Sequence, residues 1–146
     1  MTHSPSIRAI ALEQFNGRLA AARKQARDFG DSWPGDPANE NLRYWLAIAL
    51  AAGVGRDLPR DICAKIEVKA IYPAGHTYLP LPSQIAHDHA WKGELARARD
   101  TAIAKAEARP KDLRAEQRAR DLIHLADALG APGIDWSKAQ AWGIAA

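Results

Sequence analysis

Apolar residues recur three or four positions apart along most of this chain, which is the spacing of one buried helical face. The first such run opens at Ser4 and Pro5, an N-cap and first-turn pair, and extends to Phe29 with Gly30 as its stop. Ile7, Ile10, Ala11, Leu19, Ala22, Ala26 and Phe29 share a face, while Arg8, Arg18, Arg23, Lys24 and Arg27 lie mostly off it. Gly17 sits in the middle of the run. It either weakens the helix by about 1 kcal/mol relative to Ala or marks a close helix crossing. Residues 31–37 are dense in chain-breakers and predict a loop, with Trp33 packed back as a lid over the core edge.

The stretch from Asp36 to Gly53 departs from this pattern. From Leu42 onward it is apolar on nearly every side, with Arg43 its only charged residue. A helix without a polar face cannot lie on a surface, so residues 37–52 are expected to form a central helix wrapped by the others. Asp36 as N-cap, Pro37 at the first helical position and Gly53 as the stop mark its ends.

A turn at 53–57 leads to a helix from 58, with Ile62 and Ile66 facing inward. Ile66, Val68, Ala70 and Tyr72 then alternate with Lys65, Glu67, Lys69 and Ile71, a period-2 signal. Residues 66–81 therefore read as a continued helix and a Pro-rich loop, the favoured reading, or as a small β-hairpin. Pro82 and Ser83, with Ser83 as N-cap, open the next helix, which runs to about Arg109 on a stripe of Trp91, Leu95, Ala98, Ala102 and Ala106. Pro110 interrupts, and Pro110 or Asp112 starts a further helix ending before Gly130. Its face is Ala115, Ala119, Leu122, Ile123, Ala126 and Leu129. The short connection makes these two an antiparallel hairpin. The tail has room for one short helix docked by Trp136 and Trp142. No repeat or linker divides the chain. An all-α bundle of about five to six helices, one domain over 1–146, is the expectation.

Composition adds bounds. A chain of 146 residues, 47% hydrophobic and 25% charged, suits one globular core. Leu42 to Val54 is too short for a membrane span, which needs about 20 apolar residues, and the N-terminus has no signal-peptide pattern. A single cysteine, Cys63, rules out an intramolecular disulfide and points to the cytoplasm. Between Ile62 and Ala64, its thiol reads as buried and inert.

Candidate chemistry is sparse. His76, His87, Asp88 and His89 gather ligand types in a short region, but His87 and His89 are two apart and diverge on a helix. Structural zinc also wants thiolates that are missing here. Asp121, His124 and Asp127 are three apart on one helix and allow a carboxylate-oriented imidazole, yet no nucleophile accompanies them. His124, between Ile123 and Leu125, reads as partly buried. An enzyme or metal protein built on either group is the third reading. No cofactor is implied.

The basic residues carry the main functional hint. Nine Lys and Arg stand against five Asp and Glu between Lys92 and Arg120, on a chain of formal net charge +3. Solvated helix faces and binding faces both look like this. Peripheral tryptophans add anchor candidates. The expected binding residues are Arg18, Arg23, Lys24, Arg27, Arg97, Arg114, Arg118, Trp91 and Trp136. The leading expectation is a non-catalytic protein that binds another protein or a nucleoprotein complex. A phage or mobile-element accessory factor inhibiting a host component fits that description. The second reading is DNA or RNA binding, since helix 37–52, turn 53–57 and helix 58–66 resemble a helix-turn-helix in outline, with 66–81 as its wing. Only Arg60 and Lys65 face its would-be target, with Asp61 between them. A homodimer would complete any uncovered apolar face of the central helix.

Overall fold

The computed structural model describes residues 4–29, 37–60, 63, 66, 82–88 and 90–141. Among the described residues all regular structure is helical, as the hydrophobic spacing predicts. The Asp36 cap, the Trp33 lid and the 67–81 part of the proposed hairpin lie outside them, while Ile66 itself is helical. No helix among the described residues is long and apolar enough to cross a membrane. The chain forms two compact units, 1–91 and 92–146.

In the first unit, α1 spans Pro5–Phe29. Ser4 caps it: the Ile7 N–H lies 3.4 Å from its Oγ, and the Arg8 N–H donates to its carbonyl at 3.1 Å. The buried side of α1 is Ala11, Phe15, Leu19 and Ala22, with Gln14 beside them. Phe15, fully buried, belongs to the stripe although the spacing argument passed over it. Gly17 does not mark a crossing, because a Cβ built there meets nothing within 4 Å.

Helix α2, Pro37–Ala51, contacts both α1 and the later helix α3, Pro82–Asp88. Its enclosure is as predicted. Leu42, Trp45, Leu46, Ala47, Ile48 and Ala49 are buried, and Leu50 is the one large apolar side chain partly outside. Even Arg43 is buried. The Arg18 guanidinium stands 4.7 Å from the Trp45 ring centre, a cation–π contact between α1 and α2. Gly53, at φ +86, ends α2 in the left-handed conformation. Its N–H donates to the Leu50 carbonyl at 3.1 Å, and the Val54 N–H reaches back to Ala49 at 3.1 Å. This is a Schellman stop, which satisfies carbonyls the helix would otherwise orphan. A short 3₁₀ turn, Gly55–Asp57, follows. Residues 60, 63 and 66 are helical, with Ile66 buried and Cys63 half-exposed, so the thiol is less enclosed than expected.

The helix expected from Ser83 to Arg109 is two helices. Helix α3 starts at Pro82 and stops at Asp88, and α4 spans Trp91–Ala108. The reason lies in Trp91. Its indole N–H donates to the Ala86 carbonyl at 3.2 Å, the acceptor a continuous helix would give to the residue-90 amide. A side chain thus caps the end of α3, and the first unit ends there.

In the second unit, α4 is followed by α5, Leu113–Ala128, and α6, Trp136–Ala141. Helix α5 also ends in a Schellman stop. Gly130, at φ +75, donates to Asp127 at 3.2 Å, and the Ala131 N–H donates to Ala126 at 2.9 Å. A Cβ on Gly130, past the end of α5, would lie 3.7 Å from Lys92 Nζ at the start of α4, so the two helices run antiparallel. After Gly130 the chain turns back along α4. The Arg99 Nη2 donates to the Pro132 carbonyl at 2.9 Å, and Lys138 Nζ lies 3.5 Å from Glu107 Oε1. Asp135 starts α6 by accepting from the Ser137 and Lys138 amides at 3.0 and 3.3 Å.

Arg99 is 1% exposed in the middle of the buried face of α4, among Leu95, Ala102, Ile103 and Ala106. Its Nε donates to Asp100 Oδ1 at 2.9 Å while Nη2 holds Pro132. A charged residue thus fills a core position and ties down the return segment.

Three substitutions test these contacts. Gly17→Ala is expected to raise unfolding free energy by about 0.5–1 kcal/mol, because it removes helix entropy cost without a clash. Arg99→Ala is expected to lower it by about 2–3 kcal/mol through lost packing and a stranded Pro132 carbonyl. Asp100→Ala, at an exposed carboxylate, should cost under about 1 kcal/mol. Urea denaturation followed by circular dichroism reads all three.

Candidate interaction site

The turn between α4 and α5 concentrates departures from local rules. The Asp112 N–H donates to the Arg109 carbonyl at 3.1 Å, closing a β-turn with Pro110 and Lys111 in its centre. Proline at the second position and positive φ at the third follow the type II pattern, whose third residue is usually Gly. Here it is Lys111, at φ 71, the one non-glycine with positive φ among the described residues. For a side chain that conformation costs about 1–2 kcal/mol. Asp112 then caps α5, its Oδ1 accepting from the Ala115 N–H at 3.2 Å.

Leu113, the first residue of α5, is 75% exposed, far more than Leu50, the other exposed large apolar side chain among the described residues. Arg114, Gln117 and Arg118 are exposed beyond it, with Arg114 and Arg118 four apart and adjacent on the helix surface. Arg114 lies in the first turn, where the positive end of the helix dipole disfavours a cation by about 0.3–1 kcal/mol. Lys105, Arg109 and Lys111 are exposed as well.

Charge compensation separates this tip from the rest of the unit. Arg97 Nη2 lies 2.6 Å from Glu94 Oε2, and hydrogen bonding to that carboxylate, with its charge, pushes the guanidinium pKa up. Arg99 pairs with Asp100, and Lys138 with Glu107. By contrast Lys105, Arg109, Lys111, Arg114 and Arg118 form no ion pair among the described residues. Of the nearby acids, Glu107 faces Lys138, Asp112 caps α5 and Asp121 accepts from Gln117, while Glu116 shares the first turn of α5 with Arg114. The tip therefore presents exposed cations, without an ion pair among the described residues, in the same stretch as one exposed apolar side chain.

Of the residues singled out in the sequence, only Arg114 and Arg118 belong to this tip. Arg18 is half-buried over Trp45, and Arg97 is paired. Arg23 and Lys24 are exposed on α1, away in sequence from the tip. Trp91 is 3% exposed and serves as the α3 cap, so it is a packing residue and offers no anchor to a partner. The side chains of Arg27 and Trp136, and His76 and His89 altogether, lie outside the described residues. His87 is exposed on α3. His124 is exposed, not partly buried as expected, and Asp121 accepts from Gln117 Nε2 at 2.9 Å instead of orienting the imidazole. No cluster of three metal-ligating side chains occurs among the described residues. Lys105, Arg109 and Lys111 belong to the basic run from Lys92 to Arg120 without standing out in it, and nothing in the spacing singles out Leu113. Their one legible signal was Pro110, which forces a turn there and exposes its neighbours.

Lys111→Gly separates strain from charge. It is expected to stabilise the protein by about 1 kcal/mol in urea denaturation while weakening whatever binding the tip supports.

No family model, curated protein or solved structure matches the chain.

Proposed function

We propose that this is a non-catalytic binding protein that engages another macromolecule through the α4–α5 tip. The carrying observation is the set of five exposed cations, Lys105, Arg109, Lys111, Arg114 and Arg118, with no internal ion pair among the described residues. Keeping a lysine in a left-handed turn and an arginine in a first helical turn lowers stability. A binding role accounts for retaining them, since local rules tend to be broken where function requires it. Cations projecting from a convex turn steer an anionic surface and fix its register. An accessory factor that inhibits a host protein or nucleoprotein complex by covering it needs no more chemistry than this, and a single cysteine suits the cytoplasm as its place of action.

Lysine-directed cross-linking in the source cells tests the proposal. Links to a partner should concentrate on Lys105 and Lys111 and fall at least tenfold in the double variant Arg114→Glu/Arg118→Glu. Links confined to Lys24 or Lys138, or unchanged in the variant, would place the interface elsewhere. Nucleic-acid binding is the second reading, favoured by the same cations, and a low-salt mobility shift with duplex and single-stranded probes reads it directly.

A further inference from the structure

We infer that the partner of the α4–α5 tip is a protein presenting an acidic surface with an apolar pocket that receives Leu113; this rests on the tip being the binding site. Leu113 occupies the first position of α5, flanked in sequence by Lys111 and Arg114, and is 75% exposed. A single exposed leucine carries no meaning by itself. Its setting is what gives it one. Lys111 and Arg114 flank it in sequence, and neither forms an ion pair among the described residues, so a partner close enough to neutralise them also removes Leu113 from water. A phosphate backbone offers Leu113 no apolar complement, whereas an acidic protein surface can place carboxylates around a pocket.

The dimensions agree. Arg114 and Arg118 are separated by one helical turn, about 6 Å of rise, and Arg109 and Lys111 lie within the preceding turn. The footprint is short along the chain. It matches a few carboxylates around one anchor better than the long, evenly charged track of a nucleic acid, whose binders engage many phosphates. Charges would set approach and orientation, and Leu113 would supply the desolvated centre.

Two synthetic acidic peptides, alike except that a central Leu in one is Ser in the other, test this with the full-length chain by fluorescence anisotropy. A duplex DNA of matched charge is the third probe. The expected result is that both peptides bind at low salt, the Leu peptide about tenfold more tightly. Leu113→Ser should abolish that difference and leave the Ser peptide unchanged. As Leu113 is exposed, the variant is expected to fold. If neither peptide nor DNA binds, the tip is not the binding site and the proposed function fails with it. Equal binding of both peptides, unaffected by Leu113→Ser, would keep the tip as a binding site but sink the apolar pocket. DNA binding more tightly than either peptide would assign the tip to nucleic acid and overturn the inference.

Discussion

Helix α2 has no polar face. Every large side chain from Leu42 to Ile48 except half-buried Tyr44 is withdrawn from water, the arginine among them. Burying the apolar ones contributes about 1.5–3 kcal/mol each, and that gain exists only while other elements enclose the helix. The packing of α1 and α3 against α2 follows from this requirement. Helix α1 supplies Phe15, Leu19 and Ala22, and α3 contacts α2 as well.

Enclosure also carries costs. The Trp45 indole N–H is buried with no hydrogen-bond partner among the described residues, a deficit of about 1–3 kcal/mol. The Arg18 guanidinium over its ring recovers part of that, about 0.5–2 kcal/mol for a partly desolvated cation–π contact. In residues 92–146 the corresponding element is Arg99. Where α4 could have carried another leucine, it carries a fork of donors that holds a loop carbonyl and a neighbouring carboxylate. This loop is the chain's path back along α4, and without Arg99 the Pro132 carbonyl would lose its donor.

The tip differs from both cores in kind. Arg97, Arg99 and Lys138 are compensated by Glu94, Asp100 and Glu107, whereas the cations near the α4–α5 turn form no ion pair among the described residues. Position explains the difference. Residues on a projecting turn have few neighbours, so pairing them internally would require long side chains to reach backward at an entropic cost. Projection therefore leaves charge available to a partner and leaves Leu113 in water.

Hydrophobic spacing and cap residues together determined the helical class, the largely enclosed helix that begins at Pro37, the Asp112 region as the start of α5, and the stops at Gly53 and Gly130. These are local facts, set by periodicity of 3.6 residues and by residues that cap or end helices. Other features needed tertiary structure. The break before Trp91 depends on an indole reaching a carbonyl five residues back, which no spacing rule encodes. Arg99 reads as a solvated cation until the Pro132 carbonyl is placed beside it, 33 residues away in sequence. The basic run from Lys92 to Arg120 looks uniform as a string. Folding sorts it into a buried arginine, a paired arginine and an unpaired tip, because compensation depends on which carboxylates come within reach, and the chain order of charges does not say which will.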